Sequence, residues 1–253
     1  MSELYVVGIG PGSYENMTVR AVDVLNGCDV IVGYHVYVDL VKEHFPGKEF
    51  LTTPMRQEVE RVRLALSTAA SGKTVAMICS GDAGVYGMSG LCEEMSVHYP
   101  GVKIITVPGV SAVLSGAAVL GAPLMHDFAV ISLSDLMTRW EKIEKRLRMA
   151  AEGDFAIVLY NPSSRKRADY LQKACDILLE TLSPDQICGT VRNIGRDGEE
   201  THIYTLAELR DVRVDMFTTV FIGNSSTKRI GSHMVTPRGY ARERLAAEAD
   251  AKA

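Results

Sequence analysis

Nine short apolar runs, rich in β-branched residues, alternate along this chain with longer amphipathic stretches. The runs are residues 4–10, 29–33, 74–80, 103–107, 128–133, 155–160, 186–192, 201–206 and 218–223, and helical patterns fill 18–26, 55–71, 86–98, 139–151 and 164–181. Continuous apolar strands separated by helices imply a mainly parallel sheet covered on both faces. The class is therefore α/β. A turn at "GAPLMHD" precedes a new set of strands, so two lobes are expected, 1–121 and 122–240, followed by a polar, Ala-rich tail at 241–253.

Three of the runs end in loops of glycine and small residues: "GIGPGS", "SGDAGVYG" and "PGVSA". In open parallel sheets ligands bind outside the carboxyl ends of the strands, so the three loops can share one site. Three familiar readings fail by a named residue. A dinucleotide fingerprint needs glycine where Ser13 stands. A phosphate loop needs the G-K-[ST] ending, and "SGDAGVYG" carries Asp82 instead. A nucleophile elbow needs glycine where "GVSAV" has Val113. Glycine backbone, small side chains and one acid do suit S-adenosylmethionine, whose sulfonium and ammonium a basic loop would repel. Plain turn glycines are the alternative.

Composition sets limits. The 253 residues can bury a large core. A net charge of −4 speaks against general nucleic-acid binding. No apolar run reaches the roughly 18 residues of a membrane span, and "ELYVVGIG" has no basic region before it. A cytoplasmic protein without membrane attachment is expected. The five cysteines form no C-x-x-C pair and read as buried, reduced thiols, with no metal of the protein's own.

In order, "VGIGPGS", "SGDAGVYGM", "PGVSAVLSGAAVLGAPLMHDFAVISLSD", "LYNPSSRKR", "VRNIGRDGE", "FIGNSST" and "MVTPRGY" cover about residues 3–240. Together they resemble the precorrin-3B (cobalt-precorrin-3) carbon-17 methyltransferases of cobalamin biosynthesis, a branch of the tetrapyrrole methylase superfamily. "GYHVYVDLV", "YNPSSRKR" and "RNIGRDGE" are the tracts closest to that branch. No iron–sulfur cluster is expected, since these residues carry no Cys-rich tract like the extension of some members, and "GDA" stands where many relatives have "GDP".

The resemblance implies a two-lobed fold, with a mainly parallel N-terminal sheet, a mixed C-terminal sheet and S-adenosylmethionine in a cleft between the lobes, usually in a homodimer. It implies methyl transfer to carbon 17 of a tetrapyrrole, with ring contraction by extrusion of carbon 20. The cofactor contacts it implies are Pro11, Asp82, Val85, Ser111, Ala112, Tyr160, Asn193, Asn224 and Ser225. Gly81 joins them as the glycine directly after a strand. Ring contraction moves protons, and a general acid or base is worth roughly 10²–10⁴-fold. The candidates are His35, Tyr34, Asp39 and His126 with its neighbour Asp127; surface or packing roles are the alternatives. Arg165, Lys166 and Arg167 of "SSRKR" are candidates to grip substrate carboxylates, against a solvated helix start. Arg192, Arg196 and Lys228 are further options. Rival readings are another methylase of the superfamily and an S-adenosylmethionine-binding protein without the chemistry.

Overall fold

The computed structural model describes residues 2–164 and 166–240. The chain divides into two compact units: residues 1–115 with 194–197, and 116–193 with 198–253. The sequence places the boundary after 121; the contacts place it after Ser115, and they return a four-residue segment, Ile194–Asp197, to the first unit.

The first unit is built on β1 (Ser2–Gly8), β2 (Val30–Tyr34), β3 (Glu49–Thr53), β4 (Val75–Cys79) and β5 (Val102–Val107). Their order is β3-β2-β4-β1-β5, and every pair is parallel. α1 (Val19–Gly27), α2 (His35–Val41), α3 (Glu58–Ala70) and α4 (Ser89–Ser96) connect them. The central strands read as unbroken apolar runs because both faces are covered: "VAMIC" of β4 is wholly buried. One face packs on α3, with Val62, Ala65, Leu66 and Ala69 against Leu4, Val6, Val32 and Met77. The other packs on α1 and α2, with Ala21, Leu25, Val38 and Val41 against Val7, Ile31 and Ile78. Thr18 starts α1 by accepting the Ala21 N–H at 3.1 Å.

The chain passes into the second unit within α5 (Ala112–Leu120). There β7 (Phe128–Ser132), β8 (Ala156–Tyr160), β9 (Ile187–Arg192), β10 (Glu200–Thr205) and β11 (Thr218–Ile222) order as β10-β9-β11-β8-β7. Only β7–β8 is parallel, across α6 (Trp140–Glu152); the rest are antiparallel. α6 and α7 (Tyr170–Leu178) cover the sheet through Ile143, Leu147, Leu171 and Cys175. The short helix α8 (Leu206–Leu209) follows β10 and is closed by a capping box of Thr205 and Glu208. A small sheet joins β6 (Gly121–Ala122), β12 (Lys228–Ile230) and β13 (His233–Val235).

All nine expected strands are present, each within two residues of its expected start. The expected helix at 164–181 is shorter: α7 starts at Tyr170, and Lys166 and Arg167 precede it in a turn. Arg165 and the tail 241–253 lie outside the described residues. All five cysteines are buried and unpaired. Burial pushes the Cys79 thiol up to about 11, and those of Cys92 and Cys175 to about 12. Such thiols are poor nucleophiles and poor metal ligands.

Candidate functional site

Register brings three glycine-rich loops of the first unit side by side. Gly8 pairs with Cys79, and Val7 pairs with Val107, so β1, β4 and β5 end at one level. The loops then bond to one another. Gly10 and Gly81 exchange backbone hydrogen bonds, Gly10 N to Gly81 O at 3.1 Å and Gly81 N to Gly10 O at 2.7 Å. Asp82 fastens the third loop: Oδ1 accepts the Gly109 N–H at 2.9 Å, and Oδ2 accepts those of Gly84 at 2.7 Å and Val85 at 3.1 Å. Three of roughly four lone-pair sites are thus used on backbone.

The glycines here serve this backbone contact. A Cβ on Gly109 would lie 2.3 Å from Gly81 O and 2.5 Å from Gly8 O. Gly81 has more room, its nearest neighbours being 3.6 Å from an added Cβ, but its φ is +68°. Of these two, Gly109 is the tighter position, and Gly81 is required for its backbone angle.

Around this platform, Pro11 and Ser111 are buried, while Val85 and Val110 are exposed at 39% and 36%. Ala112 opens α5. The donor set fits S-adenosylmethionine: backbone amides and carbonyls, small apolar side chains, one carboxylate, and no lysine or arginine within residues 8–13, 79–88 or 107–113. Exposed apolar surface suits an adenine ring, and the carboxylate suits a cationic sulfonium and ammonium.

A cation reaches the edge of the platform from Ile194–Asp197. Arg196 donates Nε–H to Pro11 O at 3.0 Å and Nη2–H to Ser80 Oγ at 2.9 Å. Its Cζ lies 5.9 Å from the centre of the Tyr37 ring. Tyr37 meets Tyr34 edge to face, centroids 5.2 Å apart at 88°. On Tyr34, in turn, sits Arg61 of α3, with Cζ 5.8 Å from the ring centre. Arg61 donates to Thr53 Oγ1 at 2.8 Å and to Pro54 O at 3.0 Å.

The acid–base candidates separate. His35 is exposed at the start of α2, its ring 4.4 Å from that of Tyr34. Asp39 points to solvent and pairs with Lys42 at 2.7 Å, which holds its carboxyl below the ordinary value. His126 bonds through Nε2 to the Pro237 carbonyl at 2.8 Å, so that nitrogen carries the proton.

In the second unit the remaining candidates are largely committed to turns. Asn224 is 4% exposed; its Oδ1 accepts from Ser226 N and Thr227 Oγ1. Ser225 donates N–H and Oγ–H to the Asp154 carboxylate at 2.8 and 2.6 Å. Asn193, at φ +52°, directly follows β9 and donates its backbone N–H to Phe217 O at 3.2 Å. Tyr160 ends β8 and accepts the Leu133 N–H through its carbonyl at 2.9 Å. Arg167 bonds Ser164, Ser134 and Asp135, the last at 3.3 Å. Lys166 is exposed. Arg192 pairs with Asp215 at 2.8 Å, and Lys228 lies on an exposed strand.

Neither Tyr37 nor Arg61 is among the sequence candidates, though a signal exists for each. Tyr34 and Tyr37 stand three apart at a helix start and so share a face. Arg61 lies on the buried row of α3 with Ala65 and Ala69, at spacing four.

The model of the Tetrapyrrole (Corrin/Porphyrin) Methylases matches residues 3–210. Over 238 residues the chain is 44% identical to a Salmonella typhimurium protein named "Probable cobalt-factor III C(17)-methyltransferase", covering 94% of this chain and 99% of that one. It is also 44% identical to the "Cobalt-factor III methyltransferase" of Priestia megaterium, covering 95% of this chain and 46% of that longer protein. The chain thus spans nearly the whole of one relative and about half of the other. The crystal structure of the methyltransferase CobJ superposes with a TM-score of 0.87 at 36% identity, over 94% of this chain and all of that one. The protein described here belongs to the tetrapyrrole (corrin/porphyrin) methylases.

Proposed function

We propose that this protein transfers a methyl group from S-adenosylmethionine to carbon 17 of a cobalt-factor III or precorrin-3B-type tetrapyrrole in cobalamin biosynthesis, with contraction of the macrocycle. The observation that carries this reading is the 44% identity to a named carbon-17 methyltransferase over 94% of this chain and 99% of that protein. The cobalt-bearing substrate is favoured by the names of the Salmonella typhimurium and Priestia megaterium relatives.

S-adenosylmethionine, when bound, supplies an electrophilic methyl group. The chain's part is to hold and align. Backbone of the loops around Gly10, Gly81 and Gly109 faces the cofactor, Val85 and Val110 give it apolar surface, and Asp82 sets the local negative charge. Positioning of this kind is worth roughly 7–11 kcal/mol of barrier. His35 is the residue best placed to move a proton, since its imidazole is exposed, bears no hydrogen bond among the described residues, and adjoins Tyr34. Among the described residues no helix is long and apolar enough to cross a membrane. The reading goes with a homodimer in the cytoplasm.

The test is incubation of the purified protein with S-adenosylmethionine and either cobalt-factor III or metal-free precorrin-3B, with and without oxygen, followed by product mass and position of the new methyl. Gain of one methyl at carbon 17 is expected. Methylation elsewhere, or binding of S-adenosylmethionine without turnover of either macrocycle, would overturn the reading.

A further inference from the structure

Two guanidinium groups in the first unit are withdrawn from solvent, one wholly and one in part, with no carboxylate to balance them. Among the described residues every other arginine is either exposed or ion-paired within 4.0 Å. Arg61 is 5% exposed and Arg196 is half-buried, and each meets only a hydroxyl, a backbone carbonyl and a tyrosine ring. Hydroxyls and carbonyls satisfy donors without cancelling charge. Withdrawing a charge from water is costly unless an opposite charge replaces the water. Tyrosine faces recover part of this through cation–π attraction.

The two arginines are joined through the Tyr34–Tyr37 pair, and both act on Tyr37. Burial pushes the Tyr37 phenol up, and the charges of Arg196 and Arg61 pull against it. The Tyr37 hydroxyl has no hydrogen-bond partner among the described residues and is not sealed from solvent. The same holds for Nη1 of Arg196, whose other two nitrogen positions are pinned. One donor of a fixed guanidinium and one phenol thus remain open beside the platform loops.

We propose that Arg196, with the Tyr37 hydroxyl, forms a receptor for a carboxylate carried by a ligand of this protein, and that the buried charge of Arg61 behind Tyr34 adds to its positive field. The inference rests on the reading above in that both ligands of that reaction bear carboxylates: the side chains of the macrocycle and the amino-acid end of the cofactor. It assigns the anion site to the Ile194–Asp197 segment and α2, in place of Arg167, which already holds Asp135.

Equilibrium titrations separate the sources without requiring turnover. The probes are uroporphyrin, S-adenosylhomocysteine, and methylthioadenosine, which lacks the amino-acid end. Arg196→Gln and Arg61→Gln are compared with the parent, with thermal melts as controls and Arg196→Lys as the conservative rescue. If the macrocycle supplies the carboxylate, Arg196→Gln weakens uroporphyrin binding by roughly 10–100-fold, the worth of one charge-assisted hydrogen bond, and leaves both nucleosides unchanged. If the cofactor supplies it, S-adenosylhomocysteine loses that factor and methylthioadenosine does not. In either case Arg196→Lys recovers part of the loss, and the parent's affinity falls more steeply with salt than the variant's. Should Arg61→Gln fail to fold, the Arg196 variants decide alone. Unchanged binding of uroporphyrin and S-adenosylhomocysteine overturns the receptor and leaves the methyltransferase reading standing. Equal loss of all three probes also overturns it, because Arg196 would then only shape the loops. A parent that binds neither uroporphyrin nor S-adenosylhomocysteine overturns both readings.

Discussion

The Asp82 carboxylate accepts the Gly109 N–H at 2.9 Å and so ties the loop after β4 to the loop after β5. Its other oxygen closes the Gly84–Val85 turn. Asp82→Ala strands the part-buried Gly109 donor and hands those of Gly84 and Val85 to water, and a loss of about 1–3 kcal/mol of stability is expected. Asp82→Asn keeps one acceptor oxygen and should lose less. S-adenosylmethionine affinity should fall in the same order, because the platform loosens as well as losing its charge. Denaturant titration beside calorimetry checks both orders; an alanine variant as stable as the parent would refute the tie.

Gly109→Ala should be more damaging than Gly81→Ala. The first places a methyl 2.3 Å from a carbonyl oxygen of a paired loop, which backbone cannot yield cheaply. The second has space and bears only the strain of a left-handed φ, roughly 1–2 kcal/mol. Unfolding midpoints of the two variants rank them directly. The reverse ranking would mean that the loops part more easily than their hydrogen bonds indicate.

Arg167→Gln should act on stability and leave the macrocycle alone. Arg167 is 16% exposed at its side chain and holds Asp135, to which the Tyr170 hydroxyl also donates at 2.7 Å. Removing it should lower Tm by about 2–4 °C, corresponding to a loss near 1 kcal/mol for a chain of this size. Uroporphyrin affinity should stay within twofold of the parent. A large loss of affinity at an unchanged Tm would return the carboxylate clamp to "SSRKR".

Whether an element could be read in advance depended on how local its cause is. β1 and β4 are legible because burial on both faces demands continuous apolar residues. α5, "AVLSGAAVL", escapes because small residues all round leave no apolar stripe to detect. β3, "EFLTT", is a mostly unburied edge strand with only two apolar residues. At the site, loops and their glycines are visible as types, but the partner of each group is not. Asp82 looks like a counter-charge for a ligand, and in the fold it also knits backbone. Asn224 and Ser225 look like ligand contacts, and they also close turns with Thr227 and Asp154. Arg196 is one basic residue among many until long-range packing sets it beside Pro11, Ser80 and Tyr37.

The acid limb of stability should carry the signature of Asp215. Burial raises its pKa, but the bond from Arg192, the Phe217 N–H and the Thr218 hydroxyl together bring it below the ordinary 3.8. A carboxylate depressed in the fold adds stability above its unfolded value. That contribution is lost as pH falls below 3.8 and through the lower folded value. The pair is substantially exposed, at 42% for Arg192 and 40% for Asp215, so its worth near neutrality is at most about 1 kcal/mol. Asp215→Asn should therefore lower Tm slightly at neutral pH. The gap between parent and variant should narrow as melts are taken below pH 3.8 and on through the lower folded value. A gap that stays constant across that range would assign the loss to the Phe217 and Thr218 hydrogen bonds and leave the charge on Asp215 without effect.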